Sequence, residues 1–206
     1  HLTDVAAEQM VELYIDEAST LCSTSKPAAA LALLEELDQH GLVPTTRQQP
    51  RVALHRAQAM GMLGMDGVIP LLRDTLEQAT DRRQEAQILL ELGVELYYIG
   101  AWEEAARSWR DAVVRYVELG DTMEIAVLRN NLGEVALDQG DLTAAATELH
   151  AALDVFRGAR RHNATVLTAS NLCRLHRRLG DLAESHRFLE MARSSGQASL
   201  LLHNGE

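Results

Sequence analysis

The sequence lacks the features that mark a disulfide-rich, membrane-spanning or disordered protein. It has only two cysteines, Cys22 and Cys173, and their wide separation predicts buried free thiols in a reducing compartment. It has no run of about 18 apolar residues and no basic stretch followed by an apolar one, so neither a membrane span nor a secretory signal is predicted. A cytoplasmic location is therefore expected. With only 4 Pro and 47% hydrophobic residues, the chain is predicted to fold as one domain, residues 1–206.

Positive charge is also scarce. The chain has 19 Lys and Arg against 30 Asp and Glu, which gives a net charge of -11. Such a chain repels nucleic acid and anionic lipid, so neither a nucleic acid nor a membrane is predicted as a direct partner. The charge is uneven, because residues 157–193 hold eight Arg against three acids, whereas the first forty residues hold eight acids and one Lys. This asymmetry could orient a partner.

One pattern recurs three times at intervals of forty residues. Each copy has a large-small pair, a turn glycine and a small residue after the turn, and these are Leu92-Gly93, Gly100 and Ala105, then Leu132-Gly133, Gly140 and Ala145, then Leu172-Cys173, Gly180 and Ser185. Ala30 and Val68 continue the last column into two weaker copies. The repeat therefore predicts five units, at about 4–40, 46–80, 82–120, 122–160 and 164–195, with a C-terminal tail at 196–206.

Within each unit the apolar residues follow a helical period, and each unit is predicted to be two helices. The helices are expected near 4–22, 26–39, 46–63, 66–79, 82–99, 101–119, 122–139, 141–157, 164–179 and 181–194. No segment alternates well enough to predict a strand. One helix pair cannot bury its apolar side alone, so the sequence predicts an all-α, right-handed superhelix (α-solenoid) of about five antiparallel pairs, with a concave wall made by the first helices.

These columns resemble the tetratricopeptide repeat (TPR) superfamily, in the subgroup whose period is near forty. Leu132-Gly133, Gly140, Ala145, Leu149 and Ala152 match its signature of large-small, turn, small, large and small. The family's Pro near the end of the second helix is missing. The resemblance implies a non-catalytic interaction module or scaffold that binds a protein segment, as a peptide or helix, on its concave face. An alternative is an effector-sensing regulatory segment of a larger bacterial signalling or transcription regulator, which would bind a small-molecule effector or a peptide in the concave wall.

The resemblance also suggests binding residues on the first helices. Asn130, Asn131 and Asn171 look like the position at which several relatives carry an Asn that hydrogen-bonds a bound peptide backbone. The alternative is that these amides bond within or between helices.

Projection onto the expected inner wall adds residues of other chemistry, namely Tyr97, Tyr98, Glu134, Arg174, Arg177 and Arg178. The three Arg could engage carboxylates or phosphates, or form a solvated helix face. Tyr97, Tyr98 and Trp102 could form a docking patch, or could pack between repeats.

No catalytic residue, cofactor or metal site is predicted. The chain has no HExxH motif, and its cysteines lack partners at the spacing of metal ligands. Neighbouring carboxylates such as Glu103 and Glu104 point in different directions from a helix, which is unsuited to an acid-base pair. Homo-oligomerisation is left open, because the apolar tail at 200–202 could either cover the last helix pair or bind a second copy.

Overall fold

The computed structural model describes the backbone of residues 2–203 and the side chains of residues 5–198. Its described part is all-α, as predicted, and has ten helices and no strand. These are α1 (Leu2–Ser23), α2 (Pro27–Gln39), α3 (Gln49–Met62), α4 (Val68–Glu77), α5 (Arg82–Tyr98), α6 (Trp102–Leu119), α7 (Thr122–Gln139), α8 (Leu142–Gly158), α9 (His162–Arg178) and α10 (Leu182–His203). Across this part of the chain, every helix is too short or too polar to serve as a membrane span.

The helix boundaries follow the local signals read from the sequence. Gly140 ends α7 with a left-handed φ of 84°, which a residue with a side chain rarely adopts. Next to it, Asp141 caps α8 by accepting a hydrogen bond at 3.0 Å from the amide of Ala144. Gly100 and Gly180 adopt the same conformation at the equivalent turns. The predicted turn chemistry is thus present at all three strong repeats.

The C-terminal helix departs from the prediction. Helix α10 continues to His203, although its end was expected near residue 194 and a tail from 196. The reason is local, because Gly196 does not adopt a left-handed φ and no proline follows it. The side chains of Leu200, Leu201 and Leu202, proposed to cover the last pair or a second copy, lie outside the described residues.

The chain divides into two compact units, His1–Arg115 and Tyr116–Glu206, and each is described by itself. In the first, each helix from α1 to α5 packs against the next. A buried cluster there joins α1, α2 and α3, and it consists of Val11, Ile15, Ala18, Leu34, Leu37 and Val52. In the second, α7 to α10 pack in the same consecutive way around Leu137, Leu149, Leu172 and Phe188. Neighbour-on-neighbour packing is the arrangement that the repeat predicted.

Small residues occur where helices cross closely. A Cβ added to Gly133 would lie 2.6 Å from Cγ of Leu149, and one added to Gly93 would overlap the indole of Trp109. Trp109 itself is buried, at 2% exposed, and its indole N–H donates to the Leu90 carbonyl at 3.0 Å. The large-small pairs therefore mark helix crossings.

Both cysteines, predicted to be buried, are free thiols that are only half-buried.

Candidate partner-binding surfaces

The first helices of the second unit, α7 and α9, lie side by side and are joined by polar groups. The side-chain oxygen of Asn130 on α7 accepts hydrogen bonds from Thr168 at 3.0 Å and from the amide of Asn171 at 3.4 Å. Asn171 is buried, at 7% exposed. Two of the three Asn predicted to bind a peptide are thus hydrogen-bonded to each other between helices. This is the second of the alternatives that the sequence left open.

Arg174 is held by two acids on the neighbouring helix. Its guanidinium nitrogens lie 3.1 Å from a Glu134 oxygen and 2.8 Å from an Asp138 oxygen. It also donates to the Asn171 side-chain oxygen at 3.1 Å. Glu134 and Asp138 are one helical turn apart, which lets both reach one planar guanidinium. The positive charge of Arg174 is therefore largely compensated within the chain.

The other predicted residues of this wall differ in how far they are engaged. Arg178 donates to the Leu137 carbonyl. Arg177 is exposed and forms no ion pair with any residue that the structure describes. Asn131 is half-buried, and its amide makes no hydrogen bond within the described chain. Asn131 and Arg177 are consequently the predicted residues here whose polar groups are free for a partner.

The first unit has a comparable polar row, in which sequence reasoning placed Gln58 on the inner wall but missed His55 and Glu91. Nδ1 of His55 lies 2.8 Å from the Gln58 side-chain oxygen, and the Gln58 amide donates at 3.2 Å to Glu91. Glu91 occupies the column of Asn131 and Asn171, forty residues before the first of them. The repeat register was therefore a signal that could have revealed this residue.

Among the described residues, no cation pairs with Glu91 or with the neighbouring carboxyl of Glu95. Burial raises the pKa of Glu91, the nearby Glu95 carboxyl raises it further, and the hydrogen bond from Gln58 opposes both effects. Burial also raises the pKa of Glu95. Burial lowers the pKa of His55, so the row favours neutral side chains. Among the described residues, no group of three or more His, Cys, Asp or Glu is arranged to hold a metal ion.

The predicted aromatic patch, also in the first unit, divides into an inner and an outer part. The Tyr97 ring is half-buried, with its centroid 6.1 Å from that of Trp109 and 5.8 Å from that of Tyr98. Tyr98 is 78% exposed, and Trp102 is partly exposed. Packing accounts for Tyr97, whereas Tyr98 and Trp102 remain at the surface.

A polar cavity of about 480 Å³ lies near the beginnings of α3 and α5 in the same unit. Gln48 and Gln84 line it and are buried. The amide of Gln84 donates to the Arg47 carbonyl at 2.9 Å, and that of Gln48 donates to the Glu8 carbonyl at 3.0 Å. These two side chains repeat one structural device, a buried amide that ties the start of a helix to an earlier part of the chain.

Comparison with known proteins identifies the repeat. Residues 124–197 match the family model for the tetratricopeptide repeat. No curated protein sequence matches the chain. Solved structures do match it. Because their sequence identities to this chain are low, the match shows similarity of fold alone.

One similar structure is a protein of Podosopora anserina, assigned as a kinesin light chain with nearly identical TPR-like repeats. It is 14% identical, with a TM-score of 0.67 over 93% of this chain and 97% of that one. BtubC from P. vanneervenii is 16% identical, with a TM-score of 0.70 over 95% of this chain and 90% of that one. A Rap protein complexed with Competence and Sporulation Factor is 18% identical, with a TM-score of 0.64 over 92% of this chain and 56% of that one.

Proposed function

Because residues 124–197 are tetratricopeptide repeats and the chain has the fold of TPR-like proteins, we propose that it is a non-catalytic interaction module that binds a peptide or helix of a partner protein. The binding surface would be the concave wall predicted for the first helices, centred on α7 and α9. The observation that carries this proposal is the polar network across these helices, in which Asn130, Asn171 and Arg174 hold one another while Asn131 and Arg177 stay free.

A fixed network beside free polar groups suits recognition of a peptide. Side chains that are already held in place lose little conformational entropy when a partner binds. The Asn131 amide can both donate to and accept from a main-chain peptide group, and the Arg177 guanidinium can pair with a carboxylate. Glu134, Asp138 and Arg174 would support this surface by keeping α7 and α9 together.

The experiment separates binding from folding. Peptides selected from a displayed random library against the wild-type protein would be titrated against Asn131→Ala by fluorescence anisotropy. Loss of one or two hydrogen bonds should weaken binding about 2- to 10-fold and leave thermal stability nearly unchanged. Gln139→Ala, which removes an exposed amide from the end of the same helix, serves as the control. Equal affinities for Asn131→Ala and the wild type, or failure to select any peptide, would contradict the proposal.

The alternative function is an effector-sensing segment of a larger regulator. The similarity to the Rap protein favours it, because this chain aligns with 56% of that longer protein. In such a segment, a ligand would shift the helix stack and an output domain would respond. The complete reading frame distinguishes the two functions, because an adjoining DNA-binding or ATPase segment would support the regulator and a frame without one would argue against it.

A further inference from the structure

A second surface of the first unit is apolar and exposed, and it lies at helix turns. We call it the turn edge, and it consists of Met62, Leu63 and Met65 at the α3–α4 turn and Tyr98, Ile99 and Trp102 at the α5–α6 turn. Tyr98 and Ile99 are 78% and 67% exposed, and the other four are also exposed. Large apolar side chains that gather at one surface position mark a binding site more often than scattered ones do.

Two contacts place these turns next to each other. At the end of α3, a Cβ added to Gly61 would collide with the carboxylate of Glu95 on α5. Gly61 directly precedes Met62, and Glu95 lies one helical turn before Tyr98 and Ile99. In the second helices, Arg73 in the middle of α4 forms an ion pair of 3.0 Å with Glu104, which lies two residues after Trp102 in α6. The six side chains therefore belong to one edge of the unit.

The charges around the turn edge are mainly negative. Asp66, in the α3–α4 turn, and Glu103, beside Trp102, are exposed and form no ion pair with a described residue. Glu104 and Arg73 compensate each other. The long-range field has the same sign, because the whole chain carries a net charge of -11. An apolar centre with an acidic rim is complementary to an apolar segment flanked by Lys or Arg.

We propose that the turn edge binds a short amphipathic helix of a partner protein, whose apolar face is flanked by Lys or Arg. Tyr and Trp, the types of Tyr98 and Trp102, contribute most of the binding energy at many protein interfaces. The acidic rim would steer the basic segment toward the turn edge. The acidic rim disfavours an anionic membrane, and the net negative charge disfavours a second copy. This site is separate from the surface on α7 and α9 and goes beyond the function proposed for it.

The probe is a designed helical peptide with Leu at i, i+3, i+4 and i+7 and Lys on its flanks, labelled for fluorescence anisotropy. Comparison peptides keep the Leu positions and replace Lys by Glu, or keep the composition and scramble the order. The wild-type protein should bind the Lys-flanked helix best, with an affinity that falls as salt rises. Equal binding of the Glu-flanked or scrambled peptide would overturn the proposal.

Protein variants locate the binding. Tyr98→Ser with Ile99→Ser should weaken binding of the Lys-flanked helix by about tenfold or more. Val5→Ser with Leu13→Ser is the matched control, because these side chains are 52% and 63% exposed on α1 of the same unit. Circular dichroism would verify that both double variants fold. Unchanged binding in the first variant, or an equal loss in the control, would overturn the proposal.

Further measurements test the other possible occupants of the turn edge and separate this proposal from the proposed function. Asp66→Lys with Glu103→Lys should weaken the Lys-flanked helix and strengthen the Glu-flanked one. Asn131→Ala should bind the Lys-flanked helix as the wild type does, so the two proposals can fail separately. The proposal would be overturned if Tyr98→Ser with Ile99→Ser abolished a dimer seen by sedimentation, or abolished binding to anionic phosphatidylserine vesicles, without affecting the peptide.

Discussion

The packing of Gly133 against Leu149 leads to a prediction whose sign can be worked out from the structure. In the interior of a helix, Gly→Ala is expected to stabilise by about 1 kcal/mol, because Ala loses less backbone entropy on folding. At Gly133 the new Cβ would lie 2.6 Å from Cγ, 2.8 Å from Cδ2 and 3.3 Å from the backbone nitrogen of Leu149. Leu149 is fully buried, in an interior that is expected to be close-packed. Overpacking of this kind costs about 1–3 kcal/mol.

The net expectation is that Gly133→Ala destabilises the fold by up to about 2 kcal/mol, since the overlap outweighs the helix propensity. For a chain of this size the melting temperature would fall by up to about 8 °C. Gly196→Ala is the matched control in the same unit, because its Cβ would meet only Val166 at 3.8 Å, an ordinary contact. That variant should melt about 1–3 °C higher than the wild type.

The melting temperature and the free energy of unfolding of both variants can be measured by thermal and urea unfolding, followed by far-ultraviolet circular dichroism. Leu149→Ala alone should cost about 2–5 kcal/mol. In that background Gly133→Ala should no longer destabilise, because Cγ and Cδ2 of Leu149 are gone and the two substitutions are coupled. If Gly133→Ala melts at or above the wild-type temperature, the close crossing of α7 and α8 does not explain the large-small column.

Two further predictions concern buried polar groups. Glu91→Gln should raise stability at neutral pH, because a carboxyl with a raised folded-state pKa contributes stability below the ordinary Glu pKa and loses it as pH rises through the folded value. Urea midpoints of variant and wild type should converge near pH 4, and a constant difference would contradict the assigned cause. Asn171→Ala should lower the free energy of unfolding by about 1–3 kcal/mol, because it removes one of the hydrogen-bond partners of Asn130 and of Arg174, whereas Asn131→Ala should change it little. Equal urea midpoints for these two Ala variants would refute the network.

Much of the fold follows from the sequence because its signals are local. Turn glycines, Asp caps and the large-small pairs act within one helix pair, and each recurs, so Gly140 and Asp141 predict a helix end without any knowledge of distant contacts. The end of helix α10 was predicted too early. Gly196 does not adopt the left-handed φ of the turn glycines and continues the helix, and a Cβ added there would meet only Val166 of α9, at 3.8 Å.

The candidate sites were harder to predict because they depend on pairing between helices. The sequence placed Arg174 and Glu134 on one wall and predicted a gradient of charge, but whether a charge is free depends on the distance between neighbouring helices. That distance puts Arg174 against Glu134 and Asp138. For Glu91, the forty-residue register gave the position, whereas its burial without a cation could be seen only in the folded chain.

The two tryptophans of this chain, both on α6, differ sharply in their surroundings. Trp109 is enclosed by the helix crossing at Gly93, whereas Trp102 reaches solvent beside the α5–α6 turn. A soluble quencher such as acrylamide would therefore reach one indole and spare the other. Fluorescence of Trp102 could then report binding of a partner at the turn edge, and fluorescence of Trp109 could report whether the core is intact. Both could be measured in one sample of unlabelled protein.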